Sequence, residues 1–203
     1  MLKHTRTVEI LICCFYALLL IGCSATTPTE PSTPTSIKLI DTLRHERIDQ
    51  LYYETMPDNV KEIIVQKDII PDLIDAYDRG GDNLFRFNVV VILNHRSDLS
   101  GTEKTAITQC LERALKDSFA WVRTEAVWGL GLLGAASTIP TVIPLLDDPD
   151  PGVVNETVLT LYKLAGIPGP LPISNQDMPA EQRKEMVEFW KAWWNTTRPQ
   201  SSP

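Results

Sequence analysis

Apolar residues fall into three regimes along the chain. From Ile10 to Ile21 they run for twelve residues without a charge, after a polar start that carries Lys3, His4 and Arg6. Residues 24–36 read Ser-Ala-Thr-Thr-Pro-Thr-Glu-Pro-Ser-Thr-Pro-Thr-Ser and offer nothing to bury. With three prolines they predict an extended tether, about 40 Å at full reach at ~3.1 Å per residue. Beyond residue 37 the period is helical almost throughout. It predicts helices over Ser36–Tyr53 and Pro57–Gln66 as an N-terminal cap (37–67), and a run of paired helices through 68–166. A proline-rich extended crossing and a last helix, Pro179–Asn195, occupy 167–203. The fold class expected is all-α, a short α-solenoid of stacked helix pairs with helical caps.

The pairing comes from internal similarity. At a spacing of 31 residues, Leu115 matches Leu146, Asp117 matches Asp148, Val122 matches Val153, Glu125 matches Glu156 and Leu130 matches Leu161. Upstream, Phe85–Leu93 parallels Val122–Leu130, and Ile70-Pro-Asp-Leu-Ile parallels Ile139-Pro-Thr-Val-Ile. A period of this length marks units that cannot cover their own apolar face and so stack. Within the second unit Val122, Ala126, Val127, Leu130 and Leu133 form the stripe expected to be buried.

These residues resemble the HEAT repeat family, particularly the short variant also found in phycobilisome lyases. Asp117, Val122, Arg123, Ala126, Leu130 and Gly134 fit its acidic turn and following helix. The third unit departs with Val154 and Thr157, and the first has Arg79-Gly-Gly-Asp82 in place of the acidic turn. The resemblance implies that the second helices of each unit line an inner face. Asn88, Glu125 and Glu156 would then be exposed at equivalent positions, with Arg86 and Arg123 alongside and Trp128 half-exposed. These six are the candidate partner-binding residues, although inter-repeat hydrogen bonding is the other role open to the polar five.

At the chain start, Leu20-Ile21-Gly22-Cys23 closes the apolar run and resembles the lipobox of bacterial lipoproteins. The run is too short to span a bilayer and has signal-peptide length. The resemblance implies a signal peptide over 1–22, and lipid-modified Cys23 at the head of the tether (23–36). Its partner would be the bilayer, cell membrane or outer membrane, with the domain on the exported side.

Charge and chemistry narrow the function. The chain carries a net charge of −7 and pI ≈ 5.0, against nucleic acid as a partner, since that affinity needs clustered Lys and Arg. Cys13 and Cys14 fall in the leader and Cys23 is taken, so Cys110 has no disulfide partner and reads as a buried thiol. Gly129-Leu-Gly-Leu-Leu-Gly134 matches a dinucleotide fingerprint by letter. It ends a helix instead of opening one, which predicts close packing and termination. Asp147-Asp148-Pro149-Asp150 lacks the spacing of a calcium loop and reads as a turn. With no metal, cofactor or nucleophile signature, the expectation is no enzyme. It is a membrane-anchored scaffold or adaptor binding another envelope protein. A structural envelope protein that binds itself or the cell wall is one alternative, and a lyase-like enzyme is another.

Cys23→Ser is therefore expected to abolish incorporation of a clickable fatty acid in living cells; labelling at the wild-type level would remove the anchor.

Overall fold

The structure, a computed structural model, describes residues 34–45, 56–168 and 178–197. The proposed leader, Cys23, most of the tether and the crossing at 169–177 lie outside the described residues. Helix α1 spans Pro34–Asp41 and runs into a 3-10 turn, Thr42–Arg44; α2 is Asp58–Val65. The first pair is α3 (Ile70–Arg79) and α4 (Asn83–Asn94), and the second is α5 (Gly101–Ala114) and α6 (Ala120–Leu133). In the third, a broken segment over 136–147 with the one-turn α7 (Ile139–Val142) precedes α8 (Pro151–Ala165); α9 is Ala180–Thr197. Among the described residues there is no strand, and no helix is long and apolar enough to cross a membrane.

Two boundaries differ from the sequence reading. Helix α1 begins inside the stretch assigned to the tether, because a proline in the first turn forfeits only an N–H that has no helical partner. Regular helix then ends at Asp41, short of the single element expected to reach Tyr53; positions 46–53 lie outside the described residues. The first helix of the third pair is fragmented into 3-10, α and 3-10 pieces. Pro140 and Pro144 each remove a donor and press on the carbonyl four residues back.

Local signals set the other ends. Ser100 and Glu103 form a reciprocal capping box on α5. Asp82 accepts the Phe85 amide and Asp150 the Gly152 and Val153 amides, capping α4 and α8. Gly134 ends α6 at φ 61°, a left-handed conformation that other residues rarely adopt.

The second helices form the middle of the molecule. Helix α6 packs on α4 on one side and α8 on the other, while α3 and α5 pack together in the first-helix layer. Val122, Ala126, Val127 and Leu130 are fully buried as the stripe predicts, and Leu133 is half-buried. At the N-terminal end α2 and the Thr42–Arg44 turn lie on α4, where Asn88 donates to the Leu43 carbonyl at 2.8 Å. At the other end α9 covers α8. Trp190 is fully buried there and meets the Tyr162 ring edge-on at 4.8 Å, with Phe189 and Trp193 completing its shell. Lys191 bonds Asp147, and half-buried Arg183 reaches Asn155 at 3.3 Å.

Truncating a buried aromatic to Ala costs about 3–5 kcal/mol. Trp190→Ala is expected to lower the unfolding free energy by that amount, and Phe189→Ala, 42% exposed, by much less. Denaturation curves of the two variants check the ranking, and equal losses would mean that α9 is not the seal.

Candidate functional site

Successive units are tied by a repeated ion pair. In α4 and α6 the Arg in the first turn of the second helix reaches the turn Asp of the next unit. Arg86 grips Asp117 through two bonds of 2.7 and 2.8 Å, and Arg123 grips Asp148 through two of 2.7 Å. Fork-to-fork geometry fixes distance and orientation together. Tyr77 adds a hydrogen bond to Asp117 at 3.0 Å, and Asp117 itself accepts the Phe119 amide at 2.9 Å. Burial pushes the Asp117 carboxyl up, but the bonds from Arg86, Phe119 and Tyr77 outweigh it and hold it below the usual carboxylate range. The run stops at the third unit, where Val154 stands at the Arg position.

The expected row of exposed polar residues is not on the surface. Asn88 is 0% exposed, and Glu125 and Glu156 are each 3% exposed. Second helices pack so closely that these side chains point sideways into the seams between neighbours, or, for Asn88, under the N-terminal cap. Asn94 Nδ2 donates to both the Glu125 carbonyl and its Oε1 at 2.9 Å, and Thr160 donates to Glu156 and to the Val127 carbonyl at 3.3 Å. Gly129 makes room for this: a Cβ there would come within 2.0 Å of Asn94 Oδ1. Gly131 likewise faces Thr160. The glycine triplet therefore packs and ends a helix, as its position predicts. Arg86 and Arg123 are tied into the ion pairs, so of the six candidates only Trp128 presents a half-exposed side chain free of such a bond.

Aromatic surface appears where the sequence reading did not look. Trp121 is 60% exposed and stacks on half-buried Phe119 at 6.1 Å and 17°. Phe87 of α4 meets Trp121 edge-on at 5.9 Å, and His95 meets Trp128 at 6.3 Å. Trp121, Trp128 and 50%-exposed Leu132 share one face of α6, since steps of seven and eleven residues return to within ~20° of the starting direction. The two Trp lie about 10 Å apart along the axis. The signal available in the sequence was a break in the repeat. Asp82 and Asp150 cap their helices three residues before Phe85 and Val153, but Phe119 holds that place before Val122 and makes no side-chain cap bond. Replacing a capping Asp by a residue that cannot cap costs ~1 kcal/mol.

Other chemistry is quiet. Cys110 is buried, and burial pushes its thiol up to about 12, so it stays protonated at neutral pH. Asp148 and Asp150, from the acidic run, serve as ion-pair partner and helix cap. Among the described residues no group of three or more His, Cys, Asp or Glu is placed to hold a metal ion.

The arrangement defines an all-α solenoid of stacked helix pairs. Residues 105–173 match the family model of HEAT repeats, and this supports a HEAT-repeat domain. The match covers most of the second and third pairs; α3 and α4 lie before it. No curated protein and no solved structure matches the chain.

Burial raises the Glu125 carboxyl to about 7, with the Asn94 bond opposing and the charge of Glu156 adding to the rise. A carboxyl raised on folding favours the fold fully below its ordinary range near 4.5, and that contribution is lost as pH climbs through 7. Glu125→Gln is expected to gain about 2–3 kcal/mol on the wild type between pH 5 and pH 8. Urea unfolding of both proteins at the two pH values checks this; parallel curves would place the titration elsewhere.

Proposed function

We propose that the protein is a membrane-anchored interaction scaffold that holds another envelope protein against the aromatic face of α6. The observation that carries the reading is Trp121, mostly exposed at the start of a HEAT-type second helix, with Trp128 two turns along the same face. HEAT repeats suit interaction scaffolds in general, because stacked rigid helices give an extended surface along which a partner can lie. Trp is enriched among residues that dominate binding energy, and Phe119, on which Trp121 stacks, takes the place of a stabilising cap.

The anchoring half of the proposal rests on Leu20-Ile-Gly-Cys23 and the apolar run before it. Acylated Cys23 would fix the chain to the exported side of the cell membrane or outer membrane. The Thr- and Pro-rich stretch would hold the repeats off the bilayer while leaving them free to search for a partner.

Chemical crosslinking in native cells followed by mass spectrometry tests both halves. Trp121→Ala with Trp128→Ala is expected to lose the main crosslinked protein while the chain stays in the membrane fraction. A loss of ~2 kcal/mol at an interface anchor corresponds to about 30-fold in affinity. If the double variant captures the same protein at the wild-type level, α6 is not the contact.

A further inference from the structure

The first-helix layer carries a second surface of different chemistry. Between α3 and α5 runs a groove of about 570 Å³ lined by Ile70, Pro71, Ile74, Thr102 and Ala106, with Asp68, Asp75, Asp78 and Glu103 also contributing. The apolar part is the floor: Ile70 is buried, Ile74 and Ala106 are half-buried, and Pro71 is exposed. Thr102 and the four carboxylates complete the lining, which includes no basic side chain among the described residues. Some of that charge is met from outside the groove, since Arg113 bonds Asp78 at 2.8 Å and Arg79 lies 3.2 Å from Asp75. Both pairs are about half exposed, where solvent screens them strongly.

We propose that this groove docks a basic amphipathic helix of a partner protein. Charge complementarity chooses the sign: every charged side chain among the described residues of the lining is acidic, on a chain of net charge −7. The floor chooses the amphipathicity, because a purely ionic ligand would leave Ile74, Pro71 and Ala106 uncovered. Geometry chooses the helix. The α3 wall is built from Pro71, Ile74, Asp75 and Asp78, at steps of three, four and seven residues, so it is two turns or ~10 Å long. A partner helix of the same length lays aliphatic side chains at i and i+3 or i+4 along that floor. Lys or Arg on its flanks then falls beside Asp68 and Asp75 on one wall and Glu103 on the other. The groove lies in a different helix layer from Trp121 and Trp128, so both surfaces can be occupied at once.

The test uses the full chain in non-ionic detergent and a fourteen-residue Leu/Lys peptide of helical period (the length a design choice of about four turns). Carbodiimide joins peptide lysines to protein carboxylates in direct contact, and mass spectrometry locates the joins. The expected result is joining concentrated on Asp68, Asp75 and Glu103, weaker by at least ~10-fold for a scrambled peptide of identical composition. Ala106→Trp, which fills the floor and leaves every charge in place, is expected to reduce it similarly. Asp68→Asn with Asp75→Asn, which leaves the floor intact, should weaken peptide binding several-fold at low salt. Trp121→Ala with Trp128→Ala should change nothing, so this result and the α6 contact stand or fall separately. Joins spread evenly over exposed carboxylates such as Glu181 and Glu185, or an equal yield from Ala106→Trp, would overturn the docking site. An equal yield from an extended Lys-Pro-Pro repeat peptide would overturn the helix.

Discussion

Helix α6 cannot be stable alone, and that constraint organises the molecule. Its buried stripe from Val122 to Leu130 needs α4 on one side and α8 on the other. Each of those has a further bare side, covered by the N-terminal elements on α4 and by α9 on α8. Burial of large aliphatic side chains, at about 1.5–3 kcal/mol each, supplies the drive but not the register. The register comes from the Arg86–Asp117 and Arg123–Asp148 forks and from polar side chains threaded between second helices. Hydrophobic contact alone tolerates sliding; a two-pronged ion pair with few-degree freedom does not.

The polar seam shows what such register demands. Asn94, Glu125, Glu156 and Thr160 occupy space that aliphatic residues could fill with less desolvation cost. Their arrangement requires Gly129 opposite Asn94, so one residue without a side chain and one long polar side chain must be matched across two helices. A shift of α6 by a single turn would press a Cβ into a neighbour and leave a carboxylate without its donor.

Much of this was legible beforehand, and the parts that were not share a cause. Periodicity identified the helix pairs, and the glycine triplet read correctly as packing and termination because its place in the helix was known. Asn88, Glu125 and Glu156 were misplaced because a polar residue at a helical position says nothing about whether the neighbouring helix leaves a water-filled gap there. Only the close approach of second helices, together with the cap over Leu43, puts them inside. Phe119 and Trp121 were passed over because they stand outside the repeat-matched positions from which the exposed candidates came. Comparing them with Asp82 and Asp150 instead exposes the lost cap.

Val154, at the place where Arg86 and Arg123 stand in the earlier units, has a consequence for assembly. An open repeat end bearing that Arg would present half of a fork to any chain showing an unpaired turn Asp. Head-to-tail contacts of this kind do not close into rings unless their rotation permits, and otherwise grow into filaments. Here Val154 takes that place and is buried, and Trp190 of the same chain plugs the neighbouring surface. The third unit thus accepts the fork from Arg123 and passes none on, so the last repeat is held by packing under α9 and not by a further ion pair of this kind.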